Sequence, residues 1–457
     1  MFDFKTIKSL PSGSAGCAGV KKLLEGCADL ESRAVTCGAG RVRAEAFWLD
    51  GLTDARAVAE DVLRPFYSLP CRSAGEAAAR ALRGGVYSGT VRCRRDDEHT
   101  AADLLGGCAA LVFDSLGLAL TFEVKNSAGR SVEAPTVERS VLGARDAFVE
   151  TLRVNTALVR RRLPTAALKL WQTPLGAETK TRTAVLYLAG AAPADRVDAL
   201  RRRLEAIERR DVTDPGEVER ALTGSMRALT PQTIHTERPD RFVRGLLDGK
   251  VGVLCDGMPL GWLLPATLPE MLRTQEDRSR HAAVAAALTA LRALALLVSL
   301  TLPAVYVAVA VHHQEMIPSK LLLSAIHAKD QVPLSTGAEV LGMLLSFELL
   351  QEAGIRLPEP AGQTMSVIGA LIVGQSAVEA KVLSPIVIIV VAIAGVAGYV
   401  QPSQELCAAV RLWRFALVGL AAALGFFGLT AGLIVWLWRL CDTENLGVCL
   451  LWPLCDR

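Results

Sequence analysis

Long uncharged apolar runs in the C-terminal part constrain what this chain can fold into. One run lies between Arg292 and His312, another lies between Arg414 and Arg439, and a third covers residues 382–400. Each has about the 20 residues that an α-helix needs to cross the roughly 30 Å hydrocarbon core of a bilayer. We therefore expect membrane-spanning helices in this part of the chain.

Two further segments are less regular. In residues 337–353, leucines and valines recur at helical spacing, which fits either an amphipathic helix at the membrane interface or a span whose acidic stripe faces water. Residues 364–378 are a short stretch rich in Gly, Ser and Gln. Together with the three long runs, these segments predict four or five spans.

Four carboxylates lie among the apolar runs, at Glu339, Glu348, Glu352 and Glu379. A carboxylate at bilayer depth costs several kcal/mol unless it faces a protein interior or a water-filled path. Glu348 and Glu352 are four residues apart and share a helical face, and Gln375 lies about one turn from Glu379. We therefore expect Glu348, Glu352, Gln375 and Glu379 to line an ion path, because rings of Glu attract cations.

The alternative for these carboxylates is a purely structural role. Glu352 and Arg356 are four residues apart, so they can form an ordinary helical ion pair. Glu379 can pair with Lys381 or cap a helix. The sequence leaves both roles open.

Residues 1–281 are charged, and short β-like runs alternate there with helical runs, as in α/β proteins. The first residues contain no apolar run after their charges, so we predict no secretory signal. Arg273, Arg278 and Arg280 precede the first span, and the positive-inside rule then keeps residues 1–281 in the cytosol.

An internal repeat organises this N-terminal part. Residues 47–66 and 186–207 each read as a strand, a turn and an amphipathic helix, and residues 104–114 match residues 246–256. The offsets are 139 residues for Gly51 and Gly190 and 142 residues for Gly107 and Gly249. We therefore predict two similar α/β subdomains. Asp114-Ser115 and Asp256-Gly257 sit between apolar strands and read as hairpin turns.

The most basic stretch covers residues 138–163 between the repeats. Its apolar positions give a helix one buried face, and its arginines flank or oppose that face. These arginines either form ion pairs with Glu133, Glu138 and Glu150 or make a contact with another subunit or with the anionic inner leaflet. The candidate interface residues are Arg145, Arg153, Arg160, Arg161 and Arg162.

Several function classes lack support in the sequence. It contains no GxSxG, Walker lysine loop, HExxH or strand-linked GxGxxG, so we predict neither an enzyme nor a cofactor. The eleven cysteines show no CxxC pair or zinc-ligand spacing, so no metal site is expected. The adjacent His312 and His313 fit interfacial capping, with metal binding or pH sensing as alternatives. A net charge of +3 does not point to nucleic acid.

Several blocks of the sequence resemble the A subunits of the GerA-type spore germinant receptors, a group that includes the stage V sporulation protein AF. The chain departs from the pattern at Lys381, where a small residue is usual, and in its short C-terminal tail. The blocks are EAPTVERSVLGARDAFVETLRVNTALVRRRL, HTERPDRFVRGLLDGKVGVLCDGMP, HHQEMIPSKLL, LSFELLQEAGIRLPEPAGQ, GALIVGQSAVEAKVLSP and GYVQPSQELCAAVRLWRF. The motif residues we carry over are Thr236, Glu237, Arg238, Pro239, Asp240, Gln314, Glu315 and Pro318.

The resemblance implies a multi-pass protein of the endospore inner membrane. It implies a transporter-like B subunit and a lipoprotein C subunit as partners, and assembly of the A subunit into a nutrient-gated channel for monovalent cations. The alternatives are an accessory channel like stage V protein AF, a non-conducting scaffold and a secondary transporter. A transporter would show inverted repeats, which the sequence does not display.

The expected architecture is therefore two similar cytosolic α/β subdomains followed by a polytopic helical membrane domain. The predicted boundaries are 1–163 for the first subdomain with the basic helix, 164–281 for the second, 282–440 for the membrane domain and 441–457 for the tail. Membrane lipid and further copies of the chain are the other expected partners.

Overall fold

The computed structural model describes residues 14–453, except for 39, 41, 127–143, 208–210, 225–228, 330–331 and 357–374. Glu133, Glu138 and most of segment 364–378 lie outside the described residues. The chain forms two units. The first consists of residues 1–226 with 233–265, and the second of residues 227–232 with 266–457.

The first unit contains two five-stranded antiparallel sheets with equivalent strand orders, β1-β2-β4-β5-β3 and β6-β7-β9-β10-β8. The first sheet consists of β1 (Leu30–Cys37), β2 (Val42–Leu49), β3 (Val91–Arg94), β4 (Cys108–Phe113) and β5 (Leu118–Glu123). The second consists of β6 (Leu168–Leu175), β7 (Thr181–Leu188), β8 (Ile234–Thr236), β9 (Val251–Cys255) and β10 (Gly261–Leu264).

The helices of this unit occur in the same places in both repeats. The first repeat has α1 (Cys17–Leu23), α2 (Ala55–Ala57 continuing through Val58–Leu63 and Arg64–Ser68), α3 (Ala74–Arg80 continuing through Ala81–Gly85) and α4 (Asp97–Leu105). The second has α5 (Leu152–Arg162), α6 (Ala194–Glu205), α7 (Pro215–Thr223) and α8 (Pro239–Leu247). Both repeats therefore follow the order α-β-β-α-α-β-α-β-β.

The core of the first repeat lies on both faces of its sheet. Phe66 and Phe113 pack on one face, and Phe47 and Leu104 belong to the cluster on the other. All residues of β4 and of its counterpart β9 are buried, which explains why each reads as a continuous apolar run instead of an alternating one.

Matching residues play matching parts in the two repeats. The backbone N–H of Cys17, the first residue of α1, donates to Asp114 Oδ1 at 2.7 Å. The N–H of Leu152, the first residue of α5, donates to Asp256 Oδ1 at 2.9 Å. The aspartates that begin the hairpin turns thus also satisfy one free backbone donor of a helix start.

The position of α5 bears on the predicted boundary between subdomains. Helix α5 stands in the second repeat where α1 stands in the first, and it packs against α8, β7 and β9. The predicted first subdomain, residues 1–163, included this helix. The equivalence argues for a boundary before Leu152.

The second unit is mainly helical. Its helices are α9 (Leu268–Met271), α10 (Ala282–His312), α11 (Ser319–Lys329), α12 (Thr336–Arg356), α13 (Pro385–Tyr399) and α14 (Gln404–Asp442), with short 3-10 turns at Gln275–Ser279 and Gln314–Met316. A small hairpin, β11 (Glu444–Asn445) and β12 (Val448–Cys449), follows α14. Within the described residues, α10 and α14 are long and apolar enough to span a membrane, and α13 is a shorter apolar helix.

Helix α14 is not straight. Gly425 has φ 62° and ψ −140°, a backbone conformation open to glycine and strained for other residues. A Cβ added at Gly428 would lie 2.1 Å from the Leu420 carbonyl oxygen, and one at Gly432 would lie 2.5 Å from Leu417 Cδ2. Residues this far apart touch only if the helix folds back on itself, since eight residues of straight helix span about 12 Å. Helix α14 is therefore a hairpin of two arms, residues 404–424 and 426–442.

The hairpin corrects the single straight span expected between Arg414 and Arg439. Its tip contacts the end of α10, where His312 Nε2 lies 3.0 Å from the Ala422 carbonyl oxygen. The break at Gly425 removes helical donors for the last carbonyls of the first arm, and His312 replaces one of them. The expected capping role thus fits His312. The total of four or five spans stays a prediction.

Candidate ion path in the helical unit

The ion pair Glu348–Arg411 joins helix α12 to the first arm of α14. Arg411 Nη1 lies 3.1 Å from Glu348 Oε2, and the two side chains are 29% and 20% exposed. The sequence suggested no partner for Glu348, since the predicted ion pair with Arg356 concerned Glu352, and its partner comes from a different helix 63 positions along the chain. Because neither side chain is fully buried, both charged groups are accessible from the surface of the helical unit.

Arg414 lies one turn after Arg411 and is 3% exposed. Its Nη2 donates to the hydroxyl of Ser299 on α10, while its Nε has no hydrogen-bond partner in the described part of the chain. A Cβ at Gly398 would come within 3.2 Å of Ser299 Oγ, so the absence of a side chain there gives the guanidinium room. The helical unit therefore contains a second arginine, Arg414, which is more deeply buried than the Glu348–Arg411 pair.

The other predicted path residues lie elsewhere on α12 and in the helical segment before α13. Glu352 is exposed on α12, one turn after Glu348. Gln375 and Glu379 are exposed in the helical segment 375–379, and no hydrogen bond or ion pair links them to Glu348 within the region the structure describes. Glu379 does not pair with Lys381 there either, and the positive φ of 57° at Lys381 ends the helical segment.

Glu339 is the fourth carboxylate among the apolar runs and was not among the predicted path residues. It is completely buried, and its Oε2 accepts a hydrogen bond of 2.9 Å from the backbone N–H of Ser384, directly before α13. Its Oε1 accepts no hydrogen bond from described residues, and the Lys329 ammonium lies 3.9 Å away. The sequence signal was an acidic residue between apolar neighbours, but nothing indicated which helix it would meet.

The basic helix α5 does not present all its arginines to one surface. Arg160 is 1% exposed, and its Nε and Nη2 donate to both oxygens of the buried Asp29 at 2.8 and 2.9 Å. The prediction that Arg160 faces a partner or the membrane is therefore wrong. The side chain is buried between the two repeats and links them through Asp29.

The remaining arginines of this stretch lie nearer the surface. Arg153 pairs with Asp50 at 2.8 Å, and Arg161 donates to the Asn126 carbonyl oxygen at 2.8 Å. Arg162 pairs with Asp146. Arg145 is exposed. The pairs of Arg153 and Arg162 match the ion-pair alternative, although their partners differ from the glutamates named from sequence.

The motif around residues 236–240 forms a compact turn before α8. Arg238 grips Asp240 through two hydrogen bonds of 3.0 and 2.7 Å, and Pro239 is the first residue of the helix. Thr236 Oγ1 accepts from the Arg238 backbone N–H, and the Glu237 carbonyl accepts from the N–H of Phe148. Burial raises the pKa of Asp240, but the Arg238 hydrogen bonds and charge outweigh it, so the pKa is lowered overall.

The motif residues Gln314, Glu315 and Pro318 are exposed in the connection between α10 and α11. Gln314 Nε2 donates to the Ala310 carbonyl oxygen at 3.0 Å, which satisfies a free acceptor at the end of α10. The connection thus follows directly after the histidines that contact the α14 hairpin.

The chain thus combines an α/β unit of two repeats with a unit of apolar helices that contains internal carboxylates. The sequence model described as "Bacillus/Clostridium GerA spore germination protein" matches residues 18–457. The chain belongs to the GerA family of spore germination proteins.

Relatives cover nearly the whole chain. It is 33% identical over 426 residues to the "Uncharacterized membrane protein YfkQ" of Bacillus subtilis (strain 168), covering 93% of this chain and 83% of that protein. It is 30% identical over 445 residues to the "Spore germination protein KA" of the same organism, covering 97% and 82%. The crystal structure of the N-terminal domain of the A subunit of the Bacillus megaterium spore germinant receptor GerK3 matches with a TM-score of 0.43 and 22% identity, over 57% of this chain and 98% of that one.

Proposed function

We propose that the chain is the A subunit of a spore germinant receptor and that it oligomerises into a nutrient-gated cation channel of the endospore inner membrane. A transporter-like B subunit and a lipoprotein C subunit are the proposed partners, and the N-terminal unit lies in the cytosol. Membership of the GerA family supports the receptor role. The partly exposed Glu348 on α12 supports the cation path.

The charge of Glu348 gives such a path its selectivity for cations. In a symmetric assembly, every copy contributes one Glu348 around the axis, and a ring of carboxylates attracts cations and repels anions. In this structure Arg411 neutralises Glu348. A conducting state then requires the carboxylate to separate from Arg411 and face the path.

Replacing the carboxylate tests this proposal. We expect Glu348→Gln to lower cation conductance and cation-over-anion selectivity several-fold in reconstituted membranes, because the ring loses its charge. Glu444→Gln is the matched control, since Glu444 is an exposed carboxylate beyond the bundle. If Glu348→Gln, Glu352→Gln and Glu379→Gln all assemble and leave conductance and selectivity unchanged, these residues do not line the path.

The second candidate function is a non-conducting scaffold, which the Glu348–Arg411 pair itself favours, since a paired carboxylate can simply hold two helices together. Arg411→Gln separates the candidates. A path predicts stronger cation selectivity, because Glu348 is left unpaired. A scaffold predicts loss of assembly in that variant and no protein-dependent conductance in the unmodified protein. An accessory channel like stage V protein AF remains an alternative within the channel class.

A further inference from the structure

The first turn of α12 holds two buried oxygen ligands around one ammonium. Thr336 and Glu339 are three residues apart, so they share a helical face, and they are 2% and 0% exposed. Lys329, at the end of α11, donates a hydrogen bond to Thr336 Oγ1. The same ammonium lies 3.9 Å from Glu339 Oε1, too far for a hydrogen bond.

The spacing of Thr336 and Glu339 resembles a capping box, but Glu339 does not bond the start of its own helix. A Thr or Ser followed three residues later by Glu is typical of a capping box, in which the glutamate bonds the backbone N–H at its own helix start. Here Glu339 instead reaches α13, where its Oε2 accepts from the Ser384 N–H. That bond orients the carboxylate and leaves Oε1 directed toward Lys329, without a hydrogen-bond donor among the described residues.

The lysine reaches the buried carboxylate from the surface of the unit. Lys329 itself is 41% exposed, although the oxygen that it approaches is completely buried. The space occupied by the lysine side chain therefore connects Glu339 to the surface of the unit.

We propose that Glu339 Oε1 and Thr336 Oγ1 form a binding site for a monovalent cation, and that Lys329 occupies this site as a tethered competitor. An ammonium carries the same charge as K⁺ and is bound by the same hard oxygen ligands. A buried carboxylate oxygen without a donor is costly, so a cation that replaces Lys329 recovers electrostatic free energy. The site does not require conduction, so its test is independent of the proposed channel.

Thermal unfolding of the full chain in nanodiscs tests the site, with KCl compared with N-methylglucamine chloride at equal ionic strength. Lys329→Met keeps the apolar stem and removes the ammonium, so we expect K⁺ to raise Tm by about 3 °C at tenfold the dissociation constant. The unmodified protein and Lys329→Arg should show a much smaller difference. Lys320→Ala, an exposed lysine on the same helix, should behave like the unmodified protein.

The double variant Lys329→Met/Glu339→Gln should lose the K⁺ effect. The proposal is overturned if Lys329→Met unfolds at the same temperature in both salts, or if the double variant keeps the full K⁺ shift. Acylation of Lys329 in the unmodified protein, followed by mass spectrometry, requires no variant. Rising K⁺ should expose the amine and accelerate its modification several-fold relative to Lys320, whereas equal rates in both salts would contradict competition.

Discussion

At the residue scale, the Arg160–Asp29 pair is a buried electrostatic contact between the two repeats. The guanidinium makes two bonds to Asp29 and one of 2.8 Å to the Leu168 carbonyl oxygen, and both side chains are nearly inaccessible. A buried charge left without its partner is far more costly than a buried pair. Replacing either residue alone should therefore destabilise the first unit, because the other charge would stay buried without its partner.

Single and double replacements at this pair should differ. We expect Asp29→Asn or Arg160→Met to lower the free energy of unfolding by about 3–5 kcal/mol, because one charge stays buried without its partner. The double variant Asp29→Leu/Arg160→Met should be less destabilised than either single variant. Denaturant unfolding of the full chain measures both. Arg161→Met is the control, with a change of about 1 kcal/mol or less, because the Arg161 side chain is exposed and donates to a backbone carbonyl oxygen. Additive single effects would contradict this account.

At the element scale, the α14 hairpin depends on one residue. A Cβ added at Gly425 would lie 2.9 Å from His313 Cε1. The backbone conformation of Gly425 is also strained for any other residue. The close approach of the arms at Gly428 and Gly432 likewise leaves no room for side chains. Small residues in this apolar helix therefore mark a turn and a helix contact.

We expect Gly425→Ala to destabilise the helical unit by about 1–3 kcal/mol, the cost of a strained backbone for a residue with a Cβ. Gly419→Ala is a matched control in the first arm, because a Cβ there meets nothing within 4 Å and alanine is the better helix former. Thermal unfolding in detergent compares the two variants. An equal effect of both substitutions would show that the bend at Gly425 does not matter for stability.

At the scale of the whole molecule, the hairpin brings the end of α14 back toward the start of the helical unit. After the second arm, Thr443 Oγ1 lies 3.1 Å from Thr230 Oγ1, and Asn445 donates to the Gln232 carbonyl oxygen. The Leu268 N–H donates to the Leu450 carbonyl oxygen. The residues after α14 therefore return to the segments that precede α10.

This arrangement predicts the labelling of introduced cysteines. Leu229→Cys and Glu444→Cys should react with a membrane-impermeant thiol reagent from the same side, and Gln314→Cys, beside the hairpin tip, from the opposite side. With the N-terminal unit in the cytosol, the first two should react only in inverted vesicles. The native cysteines are replaced first, since Cys93 is exposed. Reaction of Glu444→Cys and Leu229→Cys from opposite sides would exclude the hairpin.

The sequence by itself determined the division into a polar α/β part and an apolar helical part, the repeat, the hairpin turns and the family. These features follow from local periodicity, turn residues and contiguous motifs, which the linear chain displays directly. It also drew attention to carboxylates among apolar residues, because their desolvation cost does not depend on the fold.

Only the tertiary structure decided which charges meet. The local sequence favours a surface position for Arg160, but in the fold this side chain is buried against Asp29, 131 positions away. Glu348 meets Arg411, and Glu339 meets Lys329 and the start of α13, through helix packing that no local spacing encodes. The fold of α14 was hidden for the same reason. Its composition suits one long span, and the reversal depends on a single glycine conformation and on contacts between its two arms.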